Sequence, residues 1–171
     1  MGITTGIGGG IIRDVLLGIH PPTSLDQWPN LAVGLAASLI VFVAHPAMNR
    51  VWKGMLLFDA FGMGLFASTG ASIALAAGGS SLSACLIGAT TAVAGGVIRD
   101  ILVNEVPLLL RRDLYAIPAL LGSSIVAVVE GLGLPENVGL IVGTVVATGL
   151  RLLALWRRWN LPIAKRVPDE E

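Results

Sequence analysis

Two arginine–aspartate pairs stand in apolar, glycine-rich surroundings: Arg13-Asp14 follows Gly8-Gly9-Gly10, and Arg99-Asp100 follows Gly95-Gly96. A charge at the centre of a membrane helix costs about 2.5–3.5 kcal/mol on insertion scales, so such residues face an interior or a wet cavity. Such residues either handle ions or simply hold helices together by pairing. A guanidinium repels or admits cations according to its position, a carboxylate attracts them, and glycine lets a helix bend or a second backbone come close. In each copy the arginine follows the last glycine by three residues, so kink and guanidinium share one helix face about one turn apart. Gly8, Gly9, Gly10, Gly95 and Gly96 therefore have two readings. They are bends lining an ion path, or they serve close helix packing at the spacing of Gly6-x-x-x-Gly10 and Gly139-x-x-x-Gly143. Arg13 and Arg99 are candidate gates, positive plugs or locks on a bent helix. Adjacent helix positions point about 100° apart, which disfavours Asp14 and Asp100 as their main partners. Asp59, on the neighbouring antiparallel helix, is the better partner expected for Arg99.

The two sites are copies of one unit. From Thr4 to Pro21, nine of 18 positions are identical to those 86 residues later, from Thr90 to Pro107. The elements that position them follow from composition. The chain has 171 residues, 54% hydrophobic and 13% charged, against roughly 25% charged in soluble domains. This is the composition of an all-α membrane protein, with room for one helical bundle. Apolar runs give six transmembrane helices at about 1–18, 30–47, 55–77, 82–103, 114–131 and 137–157. Short turns at Gly78-Gly79-Ser80-Ser81 and Gly131–Glu136 make their neighbours antiparallel.

Loop charge gives sidedness. Arg50, Lys53, Arg111, Arg112, Arg157, Arg158, Lys165 and Arg166 all fall on one side, while the loops at 19–29, 78–81 and 132–136 contain no Lys or Arg. The basic side, with the C-terminus, is expected to face the cytoplasm across a plasma or inner membrane. Three crossings separate the copies, so they run in opposite directions as an inverted repeat, an arrangement used by transport proteins. The expected division is 1–50 for the first repeat, 51–133 for the second, 134–160 for a final helix and 161–171 for a tail. The Asp59-x-x-Gly62 helix has no counterpart 86 residues earlier. The first repeat is thus expected to lack its opening helix, about 30 residues, and with it the acid that would complement Arg13.

The doubled Gly-Gly-Arg-Asp motif with its downstream proline, the Asp-x-x-Gly helix and Arg111-Arg112-x-x-Tyr115 resemble the trimeric intracellular cation channel family. The closer likeness is to its bacterial members with a duplicated glycine-transporter domain, and it extends from residue 2 to about 160. The resemblance implies seven helices in a homotrimer. It implies one ion path per protomer beside kinked helices, and passage of monovalent cations, chiefly potassium. It also leaves open a secondary transporter of glycine or another small neutral amino acid, and a non-transporting scaffold.

Other chemistry finds little support. No Ser-His-Asp or paired-carboxylate arrangement points to an enzyme, and Gly6-x-Gly8-x-Gly10 follows no strand and lacks dinucleotide spacing. His20 and His45 fall on opposite sides and with Cys85 make no metal site, and no cofactor is implied. Zero formal charge argues against nucleic acid. Membrane lipids are the expected surroundings, with Trp28, Trp52, Trp156 and Trp159 at helix ends as interfacial anchors.

Overall fold

The computed structural model describes residues 2–26, 28–29, 31–36, 38–39, 52–102, 104–107, 114–157 and 159. The described elements are α1 (Gly2–Leu16), α2 (Thr23–Asp26), α3 (Trp52–Ala76), α4 (Ser81–Leu102), α5 (Ala116–Gly131) and α6 (Glu136–Arg157). Helical backbone is also present at 31–36 and 38–39. The rest of the helix expected at 30–47, the basic residues Arg50, Arg111, Arg112, Arg158, Lys165 and Arg166, and the tail lie outside the described residues. No strand occurs among the described residues. The single turn α2 falls in a segment expected to be loop.

Segments within α3, α4 and α6 are long and apolar enough to cross a membrane. α5, with 16 residues, covers about 24 Å at 1.5 Å per residue. α1 stops at Leu16, two residues before its expected end, because Gly18 turns the chain at φ 70°. Ile19 then donates its N–H to the carbonyl of Asp14 at 2.8 Å. The same cap closes α4: Asn104, 86 residues after Gly18, has φ 57°, and the Glu105 N–H donates to the carbonyl of Asp100 at 2.9 Å. Glycine and asparagine are the residues that tolerate this left-handed position at a helix C-terminus. The repeat thus extends from residue identity to backbone conformation.

Small residues fill the interior and large apolar ones cover the outside. Ala60, Ala67, Ala71, Ala74, Ala84, Ala119 and Ala147 are wholly buried, whereas Phe58 is 77% exposed and Ile141 and Val145 are each 64% exposed. A water-soluble core would hide the phenylalanine and leave alanine at will. In lipid the outer face gains nothing by turning inward, and helices associate where small side chains let backbones meet. Gly122 on α5 and Gly143 on α6 illustrate this, each lying where a β-carbon would meet the other's carbonyl oxygen, at 3.0 and 2.7 Å. Gly139 packs against Val126 and Val129, so the expected Gly139-x-x-x-Gly143 seam joins α5 to α6. Gly64 of α3 is likewise seated on Thr144 and Thr148 of α6. α6 is also held to α3 near its start, where Ser72 donates to Glu136.

Candidate functional site

The glycine motifs meet at the crossing of α1 and α4. A β-carbon on Gly9 would strike the carbonyl oxygen of Thr91, and one on Gly95 would strike the carbonyl oxygen of Thr5. These contacts are the same contact twice, because Gly95 and Thr91 stand 86 residues after Gly9 and Thr5. Thr5 lies beside Gly95 and Gly9 beside Thr91, so the helices are antiparallel about a local two-fold axis, as an inverted repeat requires. Gly8 faces the Ile98 side chain, Gly10 faces Ser24, and Gly96 faces the Tyr115 hydroxyl. Gly6 faces open space, so the Gly6-x-x-x-Gly10 pair is not a packing seam along its length. Helical hydrogen bonding is uninterrupted through both motifs. The glycines therefore bring two backbones together without breaking either helix.

The arginines sit at opposite ends of this crossing. Each follows the midpoint of its motif contacts by about six residues, which places Arg13 and Arg99 about 18 Å apart along the helix axes at 1.5 Å per residue. Both are paired to the adjacent aspartate, contrary to expectation. Arg13 Nε donates to Asp14 Oδ1 at 2.8 Å and its Nη2 approaches the same oxygen at 2.7 Å. Arg99 Nε and Nη2 each approach Asp100 Oδ1 at 2.9 Å. The 100° between neighbouring positions separates β-carbons, whereas a guanidinium on its long stem folds sideways and presents a fork of donors. Arg13 is accordingly not unpaired. Asp59 feels the charges of Arg99 and Arg151, but no hydrogen bond or ion pair joins Asp59 to Arg99 among the described residues.

The first copy carries a lock that the sequence reading missed. Thr23 donates to Asp14 Oδ2 from both its backbone N–H and its hydroxyl, each at 2.7 Å, and Arg13 Nη2 donates to the Thr23 hydroxyl at 3.1 Å. Asp14 is wholly buried and ties α2 over the end of α1. A Thr following two prolines gives no strong signal of this, since no motif or helical spacing links it to Asp14. The residue 86 further on is Leu109, which has no hydroxyl and lies outside the described residues. The Arg13 and Arg99 side chains are 10% and 25% exposed.

Arg151 was also missed, although its signal was present. Of 11 Lys and Arg residues, eight mark loops and tail and two belong to the motifs, leaving this one inside the final apolar helix. It is 2% exposed, donates from Nη1 to the Leu114 carbonyl at 3.1 Å, and lies 4.8 Å from the centre of the Tyr115 ring. Tyr115 thus connects α6 with Gly96 of α4.

Apolar helices with small residues inside, large apolar residues outside and an inverted glycine crossing define a multi-span, all-α membrane protein. Comparison with known proteins places it further. A family model described as glycine transporter matches residues 1–46 and 56–130. The inner membrane protein YadS of Escherichia coli is 33% identical over 172 residues, covering 99% of this chain and 82% of that protein. The membrane protein YvgT of Bacillus subtilis is 36% identical over 165 residues, covering 95% and 79%. A solved chain from work on conductance through TRIC cation channels superimposes with a TM-score of 0.90 at 44% identity, covering 96% of this chain and 81% of that one. The TRIC trimeric intracellular cation channel orthologue from Rhodobacter sphaeroides superimposes with a TM-score of 0.85 at 34% identity, covering 91% and 80%. The chain belongs to the trimeric intracellular cation channel family, in which the repeated unit is the glycine-transporter domain. Those solved neighbours are channels rather than enzymes, in agreement with the expectation of no catalytic role.

Proposed function

We propose that this protein is a passive channel for monovalent cations, chiefly potassium, with its pathway beside the α1–α4 crossing. The observation that carries the reading is the reciprocal seating of Gly9 on Thr91 and Gly95 on Thr5, with an arginine–aspartate pair at each end. Close backbone approach keeps bulky side chains out of the crossing itself. The pairing also answers an objection to arginine beside a cation path. A guanidinium held on its own carboxylate carries no net formal charge, so a passing cation meets a dipole rather than a fixed like charge. Gating in this reading is the exchange of each arginine between its adjacent aspartate and other partners. In this reading the conducting species is a homotrimer, in keeping with the trimeric channel among its solved relatives, with a path in each protomer, and its C-terminus lies in the cytoplasm, in keeping with the basic loops.

Reconstituted vesicles test this. Potassium flux that rises without saturation supports a channel. Saturable glycine uptake with counterflow replaces it with the carrier that the family model's description suggests, and absence of both leaves a scaffold.

A further inference from the structure

Arg151 is a charge that neither repeat copy supplies, because α6 stands outside the duplicated unit. Its surroundings are those of a bound cation. The Leu114 carbonyl oxygen accepts from it at 3.1 Å, the Tyr115 ring face lies 4.8 Å away, and the Asp59 carboxylate is within electrostatic reach. Carbonyl oxygens, aromatic faces and carboxylates are each groups that hold monovalent cations in place of water. Arg99 and Asp100 also act on this cluster, on both Asp59 and Tyr115, and as a mutual ion pair they add no net formal charge to it.

The guanidinium is confined but not fully tethered. A buried arginine kept for structure satisfies most of its five donors, whereas Nε of Arg151 has no hydrogen-bond partner among the described residues. The seat also adjoins the motif crossing. The Tyr115 hydroxyl lies 3.8 Å from the place a β-carbon on Gly96 would take, so a movement of α4 at its glycines is felt at the ring that carries Arg151.

We propose that Arg151 is a tethered cation filling a monovalent-cation site made by the Leu114 carbonyl and the Tyr115 ring, with Asp59 as a more distant counter-charge, and that it leaves this site when the pathway opens. The second clause rests on the channel reading; the first does not. Two measurements on the full chain separate them. In detergent, millimolar guanidinium raises the melting temperature of Arg151→Ala and leaves the wild-type value unchanged, because the free ion takes the vacated seat. In vesicles, Arg151→Ala carries several-fold more potassium than wild type, and guanidinium returns its flux towards the wild-type rate. Tyr115→Leu removes the aromatic face and keeps the charge, and it too raises flux several-fold. Arg151→Ala flux at or below wild type, with no stabilisation by guanidinium, overturns the proposal. So does an Arg151→Ala chain that cannot be recovered folded, together with a folded Tyr115→Leu that conducts as wild type. If no form conducts, yet guanidinium stabilises Arg151→Ala, the channel reading falls and the cation site stands.

Discussion

A β-carbon is the smallest addition that tests the crossing of α1 and α4. At Gly95 it would press on the Thr5 carbonyl, and backbone yields less readily than a side chain. Gly95→Val is expected to destabilise the protein by about 1–3 kcal/mol, the range for overpacking a tight contact, read as a lowered unfolding temperature in detergent with reduced potassium flux. Gly6→Ala is the control. It meets open space, and alanine in a helix gains about 0.5–1 kcal/mol over glycine, so stability is unchanged or slightly raised. Thr23→Val removes a hydroxyl that both donates to Asp14 and accepts from Arg13. Leaving a buried carboxylate short of a donor costs about 1–3 kcal/mol. The expected result is faster amide exchange in α2 and a change in gating confined to the Arg13 end. Equal flux and exchange in Thr23→Val and wild type would make that lock irrelevant.

Helix ends show what a single sequence reveals at the scale of elements. Ala76, Ser81, Gly131 and Glu136 fall within a residue of the expected ends because glycine, serine and proline announce turns there. The cap at Asn104 was less legible, since asparagine at positive φ is recognised only by aligning it with Gly18 across the repeat. Asn104→Gly is expected to stabilise α4 by a few tenths to about 1 kcal/mol by removing the strain of a side chain at this φ, and Gly18→Ala to destabilise α1 by about 1 kcal/mol or more. Thermal unfolding of both variants checks the pair, and opposite signs are required. Charge pairing was not legible. Helical-wheel geometry describes where stems leave the backbone, and the heads of Arg13 and Arg99 travel far enough to overturn it. Arg151 was overlooked because it matches no motif; the cost of any charge in an apolar helix was itself the signal.

At the scale of the whole molecule, the sequence is read inside out relative to a soluble protein. Its duplicated pattern, spans and antiparallel order were visible because lipid imposes length and composition on every crossing. Sidedness is checked by labelling: in a Cys85→Ala background, Gly78→Cys reacts with an impermeant thiol reagent from outside intact cells, and Trp159→Cys reacts only after permeabilisation. The reverse pattern would invert the topology. A protein built only of two inverted halves would offer the same route in both directions, since a two-fold axis in the membrane plane exchanges its two mouths. In the proposed channel α6 stands outside the two halves; it packs on α3 and α5 and holds Arg151 about 9 Å from its C-terminal end, in one half of the bundle alone. Current driven inward and current driven outward then meet different obstacles, and the current–voltage curve of single channels bends about zero potential in symmetric salt. Neutralising Arg151 should straighten that curve, making rectification the electrical signature of the unpaired helix.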